Sequence, residues 1–158
     1  MAKTVNKTKE NIEFWATGCH FRPCVLDYIS TVTAILHKDY PKLSCEEFDQ
    51  IYAWDADAYE KAKNKCHNCE TVDLVLGIDK GKILLVEAKL KSKNIENLKS
   101  EIEAKIRHTK EYIVSSDNFK CLANPSVVLF SDENFDTKYN RFRKMRNNKR
   151  DIIPMTLT

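Results

Sequence analysis

The sequence predicts an α/β protein, a mixed β-sheet flanked by helices, in one domain spanning residues 1–158. Two stretches carry apolar residues at helical spacing and lie either side of a dense Val/Ile/Leu region that reads as paired strands. A further short apolar strand follows the second helical stretch, and a strand–helix–strand succession implies a right-handed parallel crossover. With 158 residues the chain can close a core without disulfide staples.

The elements follow from local pattern. Val25, Ile29, Val32, Ile35 and Leu36 predict a first amphipathic helix over 24–38, with Pro41 beyond its end. Ser44-Cys45-Glu46-Glu47 has the form of a capping box and predicts a second helix from about 45 to 64, with Phe48, Ile51, Tyr52, Tyr59 and Ala62 on its apolar stripe. Val72–Ile78 and Lys82–Leu90 then read as a β-hairpin apolar on both faces, turning at Gly81. Asn94 can cap a third helix over 95–114, whose Ile95, Leu98, Ile102, Ile106 and Ile113 face a core. Asn124-Pro125 breaks the chain before the strand 126–130.

Composition sets outer limits. The chain is 42% hydrophobic and 31% charged, ordinary for a soluble globular protein. Met1–Glu10 is polar and lacks the apolar segment of a signal peptide, and no apolar run approaches the roughly 20 residues that span a bilayer. These features predict a soluble, cytoplasmic protein with no membrane partner. A net charge of +3 does not by itself demand a polyanion, but its distribution is uneven. The segment 138–150 holds seven basic residues and no acid. Within it Arg141, Arg143, Lys144 and Arg146 are candidates to position a nucleic acid through its phosphates, and a solvated helix face is the plainer alternative.

Three charges stand where buried strands should have none. Asp73 interrupts Val72–Leu76, and Glu87 and Lys89 interrupt Leu84–Leu90. Side chains alternate along a strand, so Glu87 and Lys89 share a face. A three-residue loop 79–81 pairs Ile78 with Lys82, and counting back sets Asp73 opposite Glu87; a two-residue loop would send Asp73 to the other face. Two adjacent carboxylates repel, and a divalent cation relieves that repulsion. A structural Glu–Lys pair is the alternative.

Val72-Asp73, then Glu87-Ala88-Lys89 in an apolar strand followed by a helix, resembles the PD-(D/E)XK nuclease superfamily, over about residues 45–130. Thr71-Val72 stands in place of the usual Pro before the Asp, and the strand expected ahead of Asp73 has only Cys66–Glu70 to occupy. The resemblance implies a restriction-endonuclease-like fold with an αβββαβ core. It also implies Mg2+ or Mn2+ held by Asp73, Glu87 and the Ala88 carbonyl, with Lys89 orienting the attacking water and DNA as substrate. Such proteins often add an acid from the helix before the hairpin. Asp55 centres the apolar stripe of the 45–64 helix and is the first candidate, ahead of Glu60 and Glu13. His108-x3-Tyr112 stands where RecB-like members carry Gln-x3-Tyr, and with Lys105 forms one flank of the third helix that could contact phosphate or base.

Cys66-x2-Cys69 has metal half-site spacing, and Cys19-x4-Cys24 could complete a zinc site, with His20 and His67 as substitutes; buried thiols are the alternative. A metal-dependent DNA endonuclease is therefore the leading expectation. A non-catalytic nucleic-acid-binding protein of the same fold is the second, an interaction module the third. A homodimer is left open.

Overall fold

A strand whose residues are apolar at every position must be covered on both sides, and the chain supplies that cover. In a computed structural model, residues 27–44, 46–64, 70–78, 82–91, 95–113 and 122–156 are described. They form a six-stranded mixed sheet whose strand order follows the chain. The strands are β1 (Ile29–Thr31), β2 (Tyr52–Trp54), β3 (Leu74–Ile78), β4 (Lys82–Lys89), β5 (Ser126–Phe130) and β6 (Ile152–Thr156). The helices are α1 (Val32–Leu36), α2 (Ala56–Asn64), α3 (Lys99–Ile113) and α4 (Phe135–Met145). Strands β1 to β4 pair antiparallel, whereas β4–β5 and β5–β6 are parallel, joined by crossovers through α3 and α4. No helix among the described residues is long and apolar enough to cross a membrane.

Two cores result. On one face Trp54, Val75, Ile83, Leu85, Val128 and Phe130 pack against Tyr59 of α2, Ile102 and Ile106 of α3, and Phe142 of α4. On the other, Ala53, Leu74, Val86, Ala88 and Val127 pack against Val32, Ile35 and Leu36 of α1. The alternation of β3 and β4 residues between these two sets is the period-2 pattern of strands.

Two predicted helices are corrected. The 24–38 stripe is split: Ile29 lies in β1 and leans on the first core, while Val32, Ile35 and Leu36 belong to the second. Thr31 ends the strand and caps α1 by accepting from Ala34 N at 3.2 Å. The 45–64 helix is instead a 3-10 turn (Glu46–Gln50), then β2, then α2. Tyr52 and Trp54 favour a strand, and β1 and β3 offer it partners, which outweighs the helical spacing. β2 also fills the place of the strand that residues 66–70 were expected to supply: Trp54 pairs with Val75. Beyond Phe130 the chain does not trail off as a basic segment but forms α4 and β6.

The break at Asp55 explains its burial. Its Oδ1 accepts from Ala58 N at 3.0 Å, capping α2, and its Oδ2 pairs with the Lys38 ammonium group. Asp55→Ala should therefore lower stability by about 1 kcal/mol, the usual worth of such a cap, with Asp55→Asn milder. Urea unfolding of the two variants measures this; equal losses in both would assign the effect to the ion pair with Lys38 instead.

Candidate functional site

The hairpin register decides which charges meet. Ile78 pairs with Lys82 and Leu74 with Val86, so the next pair outward is Asp73 and Glu87. This is the register a three-residue loop requires; the loop residues themselves lie outside the described residues. Asp73 precedes β3, and its Oδ2 accepts from Ala88 N at 2.8 Å. The strand therefore holds the Asp73 side chain against the Glu87–Lys89 segment.

Glu87 is fully buried, opposite Val128 of the parallel neighbour β5. It lies among apolar residues where an isolated carboxylate would cost several kcal/mol. Two ammonium groups offset that cost. Lys105 of α3 donates to Glu87 Oε1 at 2.8 Å, and Lys89 lies 3.2 Å from the same oxygen. Lys89 also pairs with Glu101 at 2.5 Å, and Glu101 lies 3.8 Å from Lys105, one turn along α3. Glu87 Oε2, by contrast, is buried without a hydrogen-bond partner.

The electrostatics divide these groups. Burial, then the neighbouring Glu87, pushes the Asp73 carboxyl up from 3.8 to about 7, against the pull of the Ala88 N–H and the two lysines. Burial pulls Lys89 down, but Glu101 and Glu87 outweigh it and hold its pKa above the ordinary lysine value. Burial pulls Lys105 down as well, and Glu87 outweighs it, so its pKa is also raised. Lys89 lowers Glu101. Near neutral pH both lysines are ammonium groups, and Asp73 is the group able to exchange a proton.

The remaining candidates fall into place around this cluster. Ala88 O accepts from the Tyr40 hydroxyl at 3.1 Å, and the same hydroxyl accepts from Leu90 N at 3.2 Å. The carbonyl thus keeps one lone pair for another partner. Asp55 does not join the cluster as an added acid: its oxygens serve Ala58 N and Lys38. The stripe that seemed to aim it inward vanished with the 45–64 helix. Glu60 is buried and meets His108 at 2.9 Å, so His108 contacts α2 rather than standing free on a flank. Lys105 serves Glu87, and the Tyr112 side chain is outside the described residues. Glu13, Cys19, His20, Cys24, Cys66, His67 and Cys69 also lie outside them.

The basic segment is not uniform. Arg146 is buried and structural, bonded to Glu103 at 2.8 Å and to Asp151 at 2.7 Å, which ties α4 to α3 and to the start of β6. Lys138, Phe142 and Arg146, four residues apart, share the inward face on which α4 packs through Phe142. Lys138 likewise turns in to Ser131 Oγ at 2.9 Å. Arg141, Arg143, Lys144 and Arg150 line one shallow groove with Asn140 and Asn148. Arg141 lies 3.5 Å from Glu96 there, and Arg143 stacks near Tyr139.

Sequence reasoning missed Glu101 and the pairing of Lys105 with Glu87. The signal was present, since Glu101 and Lys105 are four apart beside the buried Ile102 and Ile106. Nothing in the sequence pointed to Tyr40. Among the described residues no three His, Cys, Asp or Glu side chains gather so as to hold a metal ion. A cation here would have two protein carboxylates, Asp73 and Glu87, and this suits Mg2+, which commonly takes one or two carboxylates and completes its shell with water and phosphate. The buried, unpartnered Oε2 of Glu87 is a hard oxygen of the kind such an ion requires. Comparison with family models, with curated proteins and with solved structures gave no match.

The raised Asp73 pKa has a definite sign for folding. Folded Asp73 binds its proton more tightly than the unfolded chain does, so stability is favoured at low pH and falls as pH rises from about 4 towards about 7. In metal-free buffer Asp73→Asn should therefore gain stability relative to wild type on going from pH 4 to pH 8. Urea titrations across that range check this; a difference that does not change with pH would mean that Asp73 ionises freely.

Proposed function

We propose that the chain is a metal-dependent phosphodiester hydrolase acting on DNA, with Asp73 and Glu87 holding Mg2+ or Mn2+ and Lys89 beside them. One observation carries the reading: Glu87 is fully buried with one unpartnered oxygen, and its carboxyl lies near enough to that of Asp73 to raise the Asp73 pKa. A core glutamate placed for stability alone would be expected to use both oxygens.

The bound ion would acidify a coordinated water and offset charge on the phosphate. The chain's own groups define the rest. Lys89 is held as an ammonium group, so it orients water or steadies the phosphate and does not serve as the base. Asp73 must lose its proton before it can hold a cation, so metal affinity should rise steeply between pH 6 and 8. In cleavage the water would give a proton to solvent as its oxygen joins phosphorus, and the phosphorus–oxygen bond to the sugar would break with that oxygen taking up a proton from solvent water. The groove of Arg141, Arg143, Lys144 and Arg150 offers phosphates a sequence-independent surface.

A second reading, a nucleic-acid-binding protein without catalysis, draws on a different observation: Lys89 and Lys105 already neutralise Glu87 without any metal. Lys89→Ala and Asp73→Asn distinguish the two. As parts of a nuclease both should lose plasmid cleavage in Mg2+ or Mn2+ by a factor on the order of 100 or more, while DNA affinity persists. In a purely structural cluster Lys89→Ala would instead lower the melting temperature and take DNA affinity with it. Wild-type protein that binds DNA but never cuts it in either metal would decide for the binding protein.

A further inference from the structure

The two lysines at Glu87 are not equivalent. Lys89 comes from the same strand, and Glu101 at 2.5 Å is its nearer partner. Lys105 reaches down from α3, and its shortest contact is Glu87 Oε1 at 2.8 Å, with Glu101 a distant 3.8 Å. Both crowd onto Oε1 and leave Oε2 bare. Lys105 is anchored at its backbone by a side chain of its own helix. Its carbonyl accepts from the Thr109 hydroxyl at 2.6 Å, and that hydroxyl accepts from Val72 N at 2.9 Å. The buried Thr109 thus ties the turn of α3 that carries Lys105 to the residue preceding Asp73. The Lys105 side chain is partly exposed, and its flexible four-carbon stem lets the ammonium group swing away without moving the helix.

We infer that Lys105 is a placeholder for the divalent cation: it neutralises Glu87 in the metal-free protein and yields that carboxylate to an entering metal. This rests on the proposed metal site and adds how that site is regulated. Asp73, Glu87 and Glu101 face Lys89 and Lys105, so the ionised cluster carries one surplus negative charge. A dication turns this into one surplus positive charge, which the single charge of a phosphodiester neutralises. Metal and phosphate are therefore favoured together over either alone, and the displaced Lys105 faces the anion that has arrived. The protein stays folded without metal because the placeholder prevents an uncompensated buried carboxylate.

The test uses the full chain and Mn2+ as probe, with free Mn2+ followed by electron paramagnetic resonance, beside thermal melting with and without Mn2+. Lys105→Met removes the competing charge. It should bind Mn2+ at least about tenfold more tightly than wild type, and Mn2+ should raise its melting temperature by more. Lys105→Arg keeps a cation at the position and should bind Mn2+ much as wild type does. Should Lys105→Met unfold without metal, recovery of folding on adding Mn2+ reads the same competition, and failure to recover overturns it. Asp73-dependent Mn2+ binding that is equal or weaker in Lys105→Met overturns the placeholder and leaves the proposed function standing. No Asp73-dependent Mn2+ binding in any variant overturns both.

Discussion

The arrangement depends on one constraint: a carboxylate with no solvent access sits in the central region of the sheet and must be compensated there. Glu87 belongs to β4, the strand where antiparallel and parallel pairing meet. Its compensation comes from two directions, its own strand through Lys89 and the overlying α3 through Lys105, which must also offset the second carboxylate that Asp73 sets beside it. Moving any of these by one residue would remove a partner, because a one-residue slip of a strand sends its side chains to the opposite face.

That constraint links fold and chemistry. The apolar residues of β4 fill both cores, Ile83 and Leu85 on one side and Val86 and Ala88 on the other. Those contacts fix the strand, and Glu87 and Lys89 continue the first face just past the point where Leu85 leaves it. Helix α3 is pinned by Ile102 and Ile106, which leaves Glu101 and Lys105 directed at the same spot. Apolar packing thus positions five charged groups that would otherwise repel or be solvated. The second core matters as well, since Tyr40 crosses to Ala88 O and Leu90 N and braces the end of the strand that carries the lysine.

The central part of the fold was legible because its signals were local. The hairpin register and the strand 126–130 appear where the pattern put them, and the runs at 72–78 and 82–90 form strands at 74–78 and 82–89. Residues 45–64 were misread because Phe48, Tyr52 and Tyr59 mimic helical spacing while belonging to three different elements, and only the sheet partners of Tyr52–Trp54 decide between them. The same misreading aimed Asp55 at the Asp73–Glu87 cluster, although it is a helix cap. The charged tail shows the converse limit: Arg146 and Lys144 look alike in sequence, and only the packing of Phe142 turns the first inward. The pairing of Lys105 with Glu87 spans two elements, and no local pattern encodes a contact of that kind.

Everything proposed for this chain turns on whether a dication sits between Asp73 and Glu87. Anomalous diffraction from crystals soaked in Mn2+ near pH 8 measures this directly. The account predicts an anomalous peak within coordination distance, about 2.0–2.3 Å, of an oxygen from each carboxylate, with the Lys105 ammonium group withdrawn from Glu87 Oε1. A map with no peak there, and both lysines still bonded to Glu87 at high Mn2+, would contradict it and leave a buried ion-pair network whose role is structural.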